Sequence, residues 1–223
     1  MGRLPDDLSF EGWVRHIFDH PSQGQPWYFD LDADWWDETA RPDRTLDYLT
    51  RLLEAPRDLL APYTDSQIND GLWYLLSNSQ HMDVLMNPHL PLEGRLRCLR
   101  GIETFYAQVF YSRCMEVLGH IDEPGAGPLN SACYMWWDLI SLLPAPADRV
   151  REPLDRAVLD VLAAILQIDH VACQESALHG LGHWHFGYPA AVQTIIEDFL
   201  RDAPHLTPGL RAYAEQAACG CVL

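Results

Sequence analysis

Three histidines near the end of the chain, His179, His183 and His185, with Glu175 one turn ahead of the first, are the side chains whose types and spacing could do chemistry. On a helix Glu175, His179 and His183 fall along one stripe, because residues four apart sit one above the other, while His185 shares another side with Leu178 and Leu181. Two imidazoles at i and i+4 can share a zinc or nickel ion. Glu175 and His183 cannot both join His179 on one ion, since positions eight apart are separated by about 12 Å of helical rise. A third ligand must come from a neighbouring helix. An internal echo names one: Ala172, Glu175, Ala177 and Gly180 recur as Ala212, Glu215, Ala217 and Gly220, which sets Cys219 in the position equivalent to His179. The candidate metal set is His179, His183 and Cys219, with Glu175 beside them. The competing reading is a polar ridge with His185 packed on the core, and no Glu follows a first His directly as in zinc proteases.

The element that carries the histidines runs from His170 to Trp184. Gly187, Tyr188 and Pro189 then make a turn into a second helix, whose Val192, Ile195, Ile196 and Phe199 present one apolar face. Thr207 caps the next helix ahead of Pro208. With Ala177, Leu178, Leu181 and Gly182 in its first helix, this unit resembles a HEAT-like or armadillo-like helical repeat. The resemblance covers about fifty residues and implies stacked helix pairs, an α-solenoid or irregular helical array. A fainter upstream copy pairs Ala132 and Cys133 with Ala172 and Cys173. Gly180 and Gly182 each cost roughly 1 kcal/mol inside a helix, and close approach of a neighbouring helix is the expected compensation.

The rest of the chain reads as helices: Leu4 to His20, Thr45 to Glu54, Thr64 to Ser77, and a long run from Pro91 to about Gly119 with a bend near Gly101. No period-two stretch bounded by hairpin turns predicts a sheet. The expectation is one all-α domain over residues 1–223, irregular over 1–123 and built of degenerate helix pairs over 129–223, with the linker EPGAGPLN (123–130) between them.

A second constellation alternates acids with aromatics: Trp27, Tyr28, Asp30, Asp32, Asp34, Trp35, Trp36 and Asp37. A calcium loop would need glycine where Trp35 stands and glutamate where Arg41 stands. Aromatic anchors ringed by carboxylates suit a basic, partly apolar protein surface; alternatively the tryptophans seal the N-terminal core.

With 32 acidic residues against 15 basic ones, all arginine, the net charge is −17. Such a surface repels phosphate backbones and anionic membranes and speeds encounter with a basic partner. There is neither a leader sequence nor an apolar run near 20 residues, so a cytoplasmic protein is expected. The six cysteines are scattered and read as small buried residues, Cys219 and Cys221 excepted. No nucleophile elbow, phosphate loop or Cys-x-x-Cys is present. Three readings of function remain open. The first is a non-catalytic, acidic protein-binding module, for instance an immunity-type inhibitor of a basic protein. The second is a metal-binding protein or metal-dependent enzyme using His179, His183 and Cys219. The third is a structural subunit of a homo-oligomer, whose last helix, ending at Cys221-Val222-Leu223, leaves an edge for another copy.

Overall fold

The computed structural model describes residues 2–140, 142–203 and 205–222, except for the side chain of Asn78. Their regular structure is helical apart from one isolated bridge between Arg3 and Trp35, so the protein is all-α. The chain forms two compact units, Met1–Phe105 and Tyr106–Leu223. Among the described residues no helix is long and apolar enough to cross a membrane.

In the first unit α1 spans Phe10–Phe18, shorter than the periodicity suggests, because the Ser9 hydroxyl accepts the Gly12 N–H at 3.1 Å and sets the N-terminus there. Its buried Phe10, Trp13, Val14, Ile17 and Phe18 recur at helical spacing. The following helices are α2 (Pro42–Glu54), α3 (Pro56–Leu60), α4 (Asp65–Trp73) and α5 (Leu92–Phe105). Thr64 and Gln67 close a capping box on α4. Between α4 and α5 the backbone widens into a π turn, Tyr74–Asn78, and tightens into a 3-10 turn, His81–Leu85. α5 runs unbroken through Gly101. The glycine serves packing instead of a bend, since a Cβ there would stand 2.8 Å from Leu53 Cβ on α2.

The second unit opens with a π turn, Tyr106–Phe110, and the short α6 (Tyr111–Arg113), and continues through α7 (Asn130–Leu139), α8 (Glu152–Leu166), α9 (Val171–His185), α10 (Pro189–Asp202) and α11 (Pro208–Ala217). Composition places the junction of the chain at the 123–130 linker, whereas packing places it at Phe105/Tyr106. The reason lies in the aromatics: Tyr106 and Phe110 meet the Trp136 ring at 5.6 and 5.7 Å, and the Tyr106 hydroxyl lies 2.7 Å from Ser176 Oγ. α9 is the central element, packed on α7, α8, α10 and α11. Twelve of its fifteen residues are buried, among them Glu175, Ser176 and His179, so these polar groups must find partners inside the protein. At the end of α11, Gly220 adopts φ +72° and turns the chain back, so that Val222 covers Gly182, where a Cβ would stand 2.5 Å from the valine methyls. Leu223 lies outside the described residues.

Candidate metal centre

The glycine at 180 positions the site. A Cβ there would lie 2.7 Å from both Trp137 Cγ and Leu162 Cδ2, so the bare backbone of α9 admits the Trp137 ring. That approach brings the next residue of α7, Asp138, level with His179 and His183. Asp138 Oδ2 lies 2.6 Å from His179 Nε2, Asp138 Oδ1 lies 2.7 Å from His183 Nε2, and the two Nε2 atoms are 3.1 Å apart. The three side chains form a group of donors gathered within 4.8 Å of one another. His179 is sealed at 2% side-chain exposure, while Asp138 at 27% and His183 at 38% open the group to solvent on one side.

Two states suit these atoms, one held by protons and one by a metal ion. Burial pushes the Asp138 carboxyl up, but hydrogen bonds and charge from His179 and His183 outweigh it and hold the group well below the usual carboxylate range. With the carboxylate ionised, a proton on each Nε2 lets His179 donate to Oδ2 and His183 to Oδ1, as the paired nitrogens of a guanidinium do to a carboxylate. Removing either proton instead sets an imidazole lone pair against a carboxylate oxygen at 2.6 or 2.7 Å. A divalent cation would take the place of both protons, because both nitrogen lone pairs and the carboxylate could then point at one positive charge. Tetrahedral ligands about 2.0–2.1 Å from zinc stand roughly 3.3–3.4 Å apart, near the Nε2–Nε2 separation of 3.1 Å, while the carboxylate at 2.6 and 2.7 Å would have to draw back by about half an ångström.

The other nitrogen of His179 is engaged as well. Its Nδ1 lies 2.6 Å from the hydroxyl of Tyr213 on α11, and Tyr134 on α7 places its own hydroxyl 3.3 Å from that of Tyr213. Burial first, then the Tyr134 hydroxyl and the carboxylates of Glu175 and Asp138, keeps the Tyr213 phenol protonated far above its ordinary range.

One turn up the stripe, Glu175 is committed elsewhere. Its carboxylate accepts the N–H groups of Gly119 (2.7 Å) and His120 (3.0 Å) and stands 2.5 Å from His120 Nδ1. The His120 ring in turn lies flat on Tyr213 at 4.1 Å. His120, Tyr213, Gln216 and Cys221 line a cavity of about 220 Å³. Two thiols also meet beneath this layer. A hydrogen bond from Cys133, with the help of His170, outweighs burial and lowers the Cys173 thiol below its ordinary value, while both cysteines remain fully buried.

Of the metal set drawn from the sequence, His179 and His183 come together and Cys219 does not join them. α11 ends at Ala217, so Cys219 lies past the helix, exposed, with its thiol 3.1 Å from the Gln216 carbonyl. Tyr213 occupies the place beside His179 that the echo assigns to Cys219, and Gly220 lies against His185. Asp138, the acid that does join, stands 41 residues before His179. The upstream echo of Ala132 and Cys133 has an offset of 40, which sets Leu139 opposite His179 and falls one residue short of Asp138.

The acidic aromatic segment divides. Trp36 is buried, and Trp27 stacks on His20 at 4.0 Å and meets Tyr74 at 4.6 Å, so these two seal the N-terminal core. Trp35 stays partly exposed with Arg3 over its ring, and Tyr28 is half-buried. Asp30 accepts the Asp32 N–H, Asp34 accepts the Gly2 N–H, and Asp37 holds the Thr39–Ala40 turn and Arg3. Asp32 is exposed.

Comparison with protein-family models, with curated proteins and with solved structures finds no match to this chain.

Proposed function

We propose that the second unit binds one divalent transition metal of the zinc class through Asp138, His179 and His183. The observation that carries this reading is the convergence of three donor atoms from two helices, gathered within 4.8 Å of one another and open to solvent on one side. Three protein ligands with a solvent-facing side are the pattern of a reactive centre, where a bound metal polarises a carbonyl or lowers the pKa of water. The stacked-helix reading of residues 129–223 is compatible with it, since α7 and α9 would be the first helices of two neighbouring pairs sharing the ion.

Metal-free protein carrying no histidine tag, titrated with zinc by calorimetry, takes up one equivalent. At a hundredfold excess over Kd the gain in stability is about 2.7 kcal/mol, read as a higher melting temperature. Substoichiometric uptake that is unchanged in His179→Ala and His183→Ala refutes the reading.

A second reading applies to the first unit. Phe29, Leu31 and Trp35 are exposed at 51%, 85% and 37%, next to Asp30, Asp32 and Asp34. Apolar side chains surrounded by carboxylates on a chain of net charge −17 suit docking of a basic protein. Pull-down at low and high salt tests it: capture by wild type that is lost on Leu31→Asp and weakened by salt supports docking, and salt-independent capture or none refutes it.

A further inference from the structure

We propose that Tyr213 is the positioning residue of this centre: its hydroxyl accepts a hydrogen bond from the Nδ1–H of His179 when a metal occupies Nε2, and donates its own hydrogen to the bare Nδ1 when the site is empty. The proposal rests on the metal reading given above.

The geometry of the ring pair is that of an in-plane hydrogen bond. The planes of Tyr213 and His179 differ by only 8°, their centroids are 6.4 Å apart, and the hydroxyl meets Nδ1 at 2.6 Å. Neutral imidazole carries one proton. With Nε2 given to a metal, that proton sits on Nδ1 and its acceptor among the described residues is Tyr213, whose own proton then turns to Tyr134 at 3.3 Å. With the site empty, the proton moves to Nε2 and bonds Asp138, and the same hydroxyl donates to Nδ1. A hydroxyl serves both states because it can donate or accept; a backbone carbonyl could serve only the first. No proton is gained or lost by His179 in the exchange.

The surroundings fix the phenol in that place. Tyr213 is 2% exposed, His120 lies flat against one face, and Glu175 holds His120 through its ring and its backbone N–H. Thus the stripe residue that does not ligate still contributes, by supporting the residue that orients a ligand. Partners of this kind are worth 10–100-fold in metal affinity.

The test has two measurements. Long-range proton–nitrogen NMR on wild type, without and with zinc, reads the His179 tautomer: protonated Nε2 in the metal-free protein and protonated Nδ1 in the zinc form support the proposal, and an unchanged tautomer overturns it. Tyr213→Phe, compared with Tyr111→Phe at an exposed tyrosine as control, is titrated with zinc. A 10–100-fold weaker Kd with wild-type circular dichroism supports the proposal, and a Kd within threefold of wild type overturns it. Should Tyr213→Phe fail to fold, the wild-type NMR result decides. If wild type itself binds no zinc, the metal reading fails, an outcome distinct from a zinc-binding wild type whose affinity ignores Tyr213.

Discussion

Acidification should destabilise the first unit through His81, by an amount that its hydrogen bonds make calculable. His81 is fully buried, its Nε2 is 3.0 Å from the Trp13 indole nitrogen, and its Nδ1 is 2.7 Å from Ser79 Oγ. Indole N–H can only donate, so Nε2 must accept and the single ring proton belongs on Nδ1. A second proton would face the indole N–H directly. Burial, with some help from the charge of His16, accordingly lowers the His81 pKa to about 3. The unfolded chain therefore binds a proton that the folded chain refuses between about pH 6.5 and pH 3, and stability is lost as pH falls through that window. At pH 5 the loss amounts to 1.5 units below the unfolded value, or about 2 kcal/mol, roughly a thirtyfold fall in the folding constant. The figure is insensitive to the depth of the shift, because any folded pKa well below 5 gives the same result. His16, lowered to about 4 mainly by burial, titrates over an overlapping range, so the His81 share has to be isolated by substitution. His81→Gln keeps an acceptor for Trp13 and removes the titration. Urea unfolding at pH 7.5 and pH 5.0, followed by tryptophan fluorescence, should give a pH-dependent loss about 2 kcal/mol smaller in the variant than in wild type. Equal losses in the two proteins would refute the argument.

Gly180→Leu forces a side chain into Trp137 and Leu162, and should lower stability by more than about 2 kcal/mol and abolish stoichiometric zinc uptake, because Asp138 moves with Trp137. An unchanged melting transition would show that α7 does not depend on this contact. In native protein at pH 7 a water-soluble disulfide reagent should modify Cys219 and Cys221 alone; the low pKa of Cys173 does not expose it, and rapid loss of more than two thiols would contradict its burial. Glu175→Ala should cost about 2–4 kcal/mol, since the Gly119 and His120 N–H groups lose their acceptor. A melting temperature within a degree of wild type would mean that water replaces the carboxylate without loss.

Periodicity, caps and breakers in the sequence were enough for the helical class, for α9 with its histidine stripe, and for the close approach at Gly180, because each depends on residues within a few turns of one another. Trp27 and Trp36 were legible only as aromatic among acids. Whether they face solvent or the core was settled by His20, Tyr74 and the other side chains that close over them. The partners of the histidine stripe were decided only by tertiary packing. Asp138 reaches it because Trp137 fits against a glycine, and Tyr213 takes the place the echo gives to Cys219 because α11 stops at Ala217, before the equivalent position. A repeat offset fixes which helices are neighbours; the register between them is set by side-chain volumes and by where each helix ends, and a shift of six residues exchanges a thiol for a phenol at the His179 imidazole.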